Sequence, residues 1–150
     1  MGNSQIFMII MGIVIVVIAI AVGLQYFSEE NVKAARQLCL SELNYFSNVS
    51  KAWWNTPREQ GGGGKPLHLS GGGGGGGNNN LDKLGIYIGH NYQTNDNTFS
   101  TINATYEIQN GGDHTVIFNC VGNTYSNGSP INIIFTYNMK TDAFQINNVN

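Results

Sequence analysis

The sequence predicts an α+β fold: one long N-terminal α-helix, over about residues 6–54, packed on a four- to five-stranded antiparallel sheet. Three observations predict it. Residues 6–24 are apolar and uncharged, a stripe of apolar residues at steps of three and four follows, and apolar residues alternate in short runs after residue 84.

The 19 residues from Ile6 to Leu24 are mostly Ile, Val, Ala and Met. At helical rise such a run spans roughly 28 Å, the thickness of a bilayer core. It does not read as a cleaved signal peptide. No Lys or Arg precedes it, it is longer than the usual apolar h-region, and no small-x-small cleavage site stands before Gln25-Tyr26-Phe27. The basic residues nearest the span, Lys33 and Arg36, lie after it. By the positive-inside rule they place the C-terminal part inside.

From Ser28 to Trp54 there is no Gly or Pro, and helix-favouring residues dominate the first half. Val32, Ala35, Cys39, Leu43, Phe46, Val49 and Trp53 make one apolar stripe, with Lys33, Arg36, Glu42 and Lys51 off it. A helix apolar all round belongs in lipid or in a packed bundle, whereas a one-sided helix lies against a globular head. One continuous helix of this extent would be roughly 73 Å long. Thr56-Pro57 ends it, because the residue before proline is pushed out of the α region.

Residues 56–83 are rich in Gly and Asn, with runs at Gly61–Gly64, Gly71–Gly77 and Asn78–Asn80. Glycine is costly to order, so such a segment serves as a linker, or as an interface where a bare backbone lets a neighbour approach. Residues 84–150 predict an antiparallel β head. Leu84–Ile88 alternates, and Ile102, Ala104, Tyr106 and Ile108 form one face of a second strand. Asn110–Asp113 is a hairpin turn, and Val116, Phe118 and Cys120 share a face. A loop over Gly122–Pro130 leads to the alternating Ile131, Ile133, Phe135 and Tyr137, and Lys140–Asp142 turns the chain into Phe144-Gln-Ile146. The greasy face of this sheet needs a cover, and the helix stripe over 32–53 has the right size. The organisation is thus a hydrophobic polymerisation or transmembrane segment (1–27), an amphipathic segment (28–55), a Gly/Asn-rich loop (56–83) and the β head (84–150).

Composition narrows the function. Charged residues are 11% and the formal net charge is -2, with no basic stripe, so no nucleic-acid partner is expected. Two cysteines are too few for a zinc site. Cys39 on the helix stripe and Cys120 on the inward face of a strand point into one layer, which makes them a candidate disulfide, with two buried thiols as the alternative. Gly61–Gly64 before Lys65 is not a phosphate loop, since Pro66 stands where Ser or Thr is required. His68, His90 and His114 are scattered and read as surface residues. No nucleophile, base and acid share a motif, so neither catalysis nor a cofactor is expected. Tyr26-Phe27, Tyr45-Phe46 and Trp53-Trp54 read as interfacial and core aromatics rather than as a conducting path. Asn48, Asn103 and Asn127 head glycosylation acceptor patterns.

Ile18-Ala-Ile-Ala-Val22 followed by Gln25-Tyr26 resembles the end of the hydrophobic segment of type IV pilins. A start of Met-Gly with Gln5, then Trp53-Trp54-Asn55-Thr56-Pro57-Arg58 running into Gly61–Gly64, is similar to a group of short pilin-like proteins. Where pilins usually carry glutamate at the fifth mature position, counting from Met1 gives Gln5, an amide that can hydrogen-bond but cannot form a charged pair. The usual mid-segment proline is absent, and Gly23 stands near its place.

The resemblance implies a structural subunit of an extracellular, type IV pilus-like helical filament. It would assemble with copies of itself through bundled helices, and with inner-membrane pilus machinery before polymerisation. The head would then stand outside the cell, opposite to the placement suggested by Lys33 and Arg36. Gln5, Ile6, Phe7, Ile10, Gly12, Ile13, Val17 and Gly23 are the assembly residues this implies. Localisation would be a cell-surface filament (a fimbrium) fed by a membrane-inserted precursor pool. Adhesion, motility, DNA uptake and secretion as a pseudopilin all fall within that class. The competing expectation is a single-span protein whose β head binds a ligand outside the cytoplasm.

Overall fold

The structure is a computed structural model that describes residues 2–64, 79–89, 91–112, 114–126 and 129–148. Helix α1 runs over Gly2–Asn55 and helix α2 over Asn79–Ile88. The strands are β1 (Thr98–Ser100), β2 (Ala104–Asn110), β3 (Thr115–Ser126), β4 (Ser129–Asn138) and β5 (Ala143–Asn148). They form one antiparallel sheet in the order β1-β2-β3-β4-β5, so every strand pairs with its sequence neighbour. The fold is α+β, as the sequence predicts.

The chain forms two compact units, Met1–Ala34 and Ala35–Asn150. The described part of the first is helix alone. Every residue from 2 to 31 is exposed, including the whole Ile6–Leu24 run. Its apolar side chains find no cover among the described residues.

The second unit holds the core. On α1 the stripe is buried at Cys39, Leu43, Phe46 and Trp53, with Ala35 and Val49 half-buried beside it. Facing it are Ala104, Tyr106 and Ile108 of β2, Val116, Phe118 and Cys120 of β3, and Ile131, Ile133, Phe135 and Tyr137 of β4. Their spacing of two puts them all on one face of the sheet. Register confirms the layer: Tyr106 lies opposite Cys120, and Cys120 opposite Ile133. Phe46 is the central knob. Its ring meets Phe99 edge-on at 4.9 Å and Tyr106 at 5.0 Å, while Phe99 and Tyr106 stack at 5.2 Å. Such arrangements match the quadrupoles of the rings and add to the gain from area burial.

Several expectations are corrected. Leu84–Ile88 is not a strand but the second half of α2. Leu81, Leu84 and Ile88 are buried at helical spacing, while Ile86 and Tyr87 face solvent. Five apolar-rich residues satisfy either period, and Leu81 tips the balance to 3.6. The fifth strand is instead the short β1, which pairs with β2 from Thr98↔Glu107 to Ser100↔Thr105. Ile102 does not belong to the β2 face; it precedes the strand and is 93% exposed. The loop expected over Gly122–Pro130 is mostly ladder. β3 continues to Ser126 after a register shift between Val121 and Tyr125, and Ser126 pairs with Ser129. Asn127-Gly128 between them is a two-residue hairpin signal, and it lies outside the described residues.

The chain after α1 folds back at once. Thr56 donates its amide to the Ala52 carbonyl at 3.0 Å, and Arg58–Gln60 makes a single 3-10 turn. Gly63 then donates to the Trp53 carbonyl at 2.8 Å and Gly64 to that of Thr56 at 3.0 Å. The glycines therefore satisfy carbonyls that the helix end would leave open. A Cβ on Gly62 would stand 2.2 Å from the Thr56 carbonyl oxygen, and one on Gly63 would stand 2.7 Å from the Trp53 ring. Only glycine fits this close approach. The Gly71–Gly77 run lies outside the described residues.

Candidate assembly surfaces and a buried thiol pair

Three features of the molecule can carry function. The first is the uncovered segment of α1. Gln5, Ile6, Phe7, Ile10, Gly12, Ile13, Val17 and Gly23 are all exposed. Around Gly12 and Gly23 a Cβ would meet nothing within 4 Å. The helix is long and apolar enough to cross a membrane.

The second feature is apolar surface at both edges of the sheet. Beside β1 and the start of β2, Tyr45 and Ile102 are exposed and line an open cleft of about 490 Å³ together with Phe46, Ser100, Thr101, Asn103 and Glu42. At the other edge, β5 overhangs the core. Phe144 pairs with Tyr137 and Ile146 with Phe135, so both lie on the core face of the sheet. They nevertheless stay 57% and 38% exposed. Phe144 stacks on Phe135 with ring centroids 5.8 Å apart.

The third feature is the polar joint between α1 and the sheet. Glu42 sits beside the stripe, half-buried at the mouth of the cleft. Its carboxylate accepts hydrogen bonds from Thr101 Oγ1 at 2.9 Å, Asn103 Nδ2 at 2.6 Å and the Tyr106 hydroxyl at 2.5 Å. Burial and the Glu42 hydrogen bond push the Tyr106 phenol far above its ordinary value, so it remains a donor. On the other flank Lys51 donates to the Met139 carbonyl at 2.7 Å and lies 3.5 Å from Asp142. Sequence reasoning set Glu42 and Lys51 apart from the packed stripe. The available signal was position: Glu42 is three residues from Cys39 and four from Phe46, which places it on the rim of the buried face.

Behind Glu42 the two cysteines meet. Cys39 and Cys120 are buried free thiols on facing positions of α1 and β3. The contact with Cys120 favours the thiolate at Cys39; the same contact, with burial, keeps the proton on Cys120.

The other candidates are dispersed. The His114 ring is tilted against Trp54 with centroids 5.8 Å apart, and His68 and His90 lie outside the described residues. Among the described residues no group of three or more His, Cys, Asp or Glu side chains could hold a metal ion. Asn48 is exposed on α1, the Asn103 amide is engaged by Glu42, and Asn127 lies outside the described residues. No protein-family model, characterised protein or solved structure matches the chain.

Proposed function

We propose that the chain is the structural subunit of a helical, pilus-like filament, held together by bundled copies of the apolar part of α1. The observation that carries this is the contrast along one helix. Residues 2–31 are exposed throughout, whereas Cys39, Leu43, Phe46 and Trp53 are buried. Each Å² of apolar surface left in water costs ~25 cal/mol, so a run of this length needs lipid or other helices around it.

The head supports polymerisation over a lone anchor. Apolar side chains are exposed at both edges, Tyr45 with Ile102 on one side and Phe144 with Ile146 on the other. Two different surfaces on opposite edges suit heterologous contacts, which extend indefinitely when the rotation does not close. A long apolar N-terminal helix segment and a helix-on-sheet head are compatible with a pilin-like subunit. The filament would stand outside the cell, with precursor subunits waiting in the membrane.

The second reading is a single-span protein with a binding head, favoured by the fit of Ile6–Leu24 to a bilayer. Mechanical shearing of the producing cells separates the two. The filament subunit leaves with the sheared, pelletable material, and mass spectrometry finds its apolar segment intact. A chain that stays with the membranes and emerges as a detergent-solubilised monomer is an anchored head instead.

A further inference from the structure

We infer that Cys39 and Cys120 are the two ends of an intramolecular cross-link that fastens α1 to β3 in the mature subunit. The inference rests on the extracytoplasmic placement of the head given above, since disulfides persist where glutathione does not reduce them. These are the only two cysteines in the sequence. They come from elements 81 positions apart (120 − 39) and arrive in one layer, 1% and 0% exposed. A Cβ on Gly122 would stand 3.7 Å from Cys39 Sγ, so that sulfur lies beneath β3, on the strand that carries Cys120. The neighbours of Cys120 across the ladders are Tyr106 and Ile133.

The oxidant is a protein dithiol oxidase carrying an accessible disulfide. The Cys39 thiolate attacks one sulfur of that disulfide and forms a mixed disulfide, while the departing sulfur leaves as a thiolate and takes up the proton Cys39 gave away. Cys120 then loses its proton and attacks Cys39 Sγ. The second oxidase sulfur leaves and is protonated. Two electrons and two protons have passed to the oxidase, and one S–S bond joins α1 to the sheet. Both sulfurs are buried in the folded head, so the exchange precedes closure of β3 over α1. The cross-link has a mechanical use. Tension along a filament pulls on the helix, and the bond prevents α1 from peeling off the sheet that carries the head's surfaces.

The test uses the native full-length chain, taken separately from the sheared fraction and from detergent-solubilised membranes. Each sample is denatured without reductant, treated with iodoacetamide and measured by intact and peptide mass spectrometry. The expected result is no alkylation, a mass two hydrogens below the reduced chain, and a peptide containing Cys39 joined to one containing Cys120. After reductant both cysteines alkylate. Two alkylated cysteines in both unreduced fractions overturn the inference, and so does a cross-link between separate chains. The filament reading fails separately: a cross-linked monomer confined to the membrane fraction removes the filament and keeps the bond.

Discussion

The Tyr106 hydroxyl of β2 donates to the Glu42 carboxylate of α1 at 2.5 Å, across the joint between helix and sheet. Tyr106 is fully buried and its ring stacks on Phe99, so the hydroxyl is aimed by packing. Removing it in Tyr106→Phe leaves the ring in place and takes one donor from the carboxylate. A lost charge-assisted bond of this kind costs about 1–3 kcal/mol. Denaturant unfolding of the detergent-solubilised chain checks it. Glu42→Gln disturbs the same contact, so the double variant is expected to lose less than the sum of the two single losses.

Glycine at 63 is a packing requirement. Gly63→Ala drives a methyl group into the Trp53 ring, against a stem fixed by the hydrogen bond from the Gly63 amide to the Trp53 carbonyl. Overpacking costs typically about 1–3 kcal/mol. Gly12→Ala, in open space on the exposed helix, is the matched control and should leave head stability unchanged. Thermal melts of the two variants side by side decide the matter. Equal melting temperatures would mean that the glycine run does not pack on Trp53.

These two joints show what could be read from residue order and what could not. The stripe from Val32 to Trp53 and the alternation in β2 and β4 are plain in the sequence, because a two-layer core imposes both periods on it. Leu84–Ile88 reads as a strand from residue order alone, since five residues with glycine in second place satisfy either period until Leu81 is included. The short β1 has no alternation long enough to notice. The Trp53-to-Arg58 stretch before the glycines was visible as a pattern, but its cause, a folded-back helix end, appears only when Gly63 meets the Trp53 carbonyl. Glu42 was passed over because a carboxylate beside an apolar stripe ordinarily faces water. Its three donors come from Thr101, Asn103 and Tyr106, some sixty residues away.

Acid should weaken the joint at the β4–β5 turn. The hydrogen bond from Tyr137, then the charge of Lys51, holds the Asp142 carboxyl below its ordinary value. The folded state therefore binds the proton less readily than the unfolded chain. The resulting stabilisation is fully present above the unfolded value, about 4, and is lost as pH falls through the lower folded value. Melting temperatures of wild type and Asp142→Asn should differ most near neutrality and converge in acid. A gap that stays constant from neutral pH down to strong acid would rule out this origin.

The two apolar edges of the sheet should matter to the polymer and not to the fold. Ile102→Asp and Phe144→Asp place a charge on exposed positions, so each head should remain folded. In a filament the same charges would sit in contacts between copies, where an unpaired charge is strongly unfavourable. The expected outcome is normal circular dichroism with a severe fall in pelletable filament from either variant. Undiminished polymer from both would show that these edges face solvent in the assembled state.

Electron cryo-microscopy of the sheared surface material tests the central claim most directly. The expected result is a helical polymer whose axial core is made of packed copies of residues 6–24, with the sheet-bearing heads around it. A polymer whose core excludes that segment, or a chain found only as monomers embedded in lipid, would contradict it.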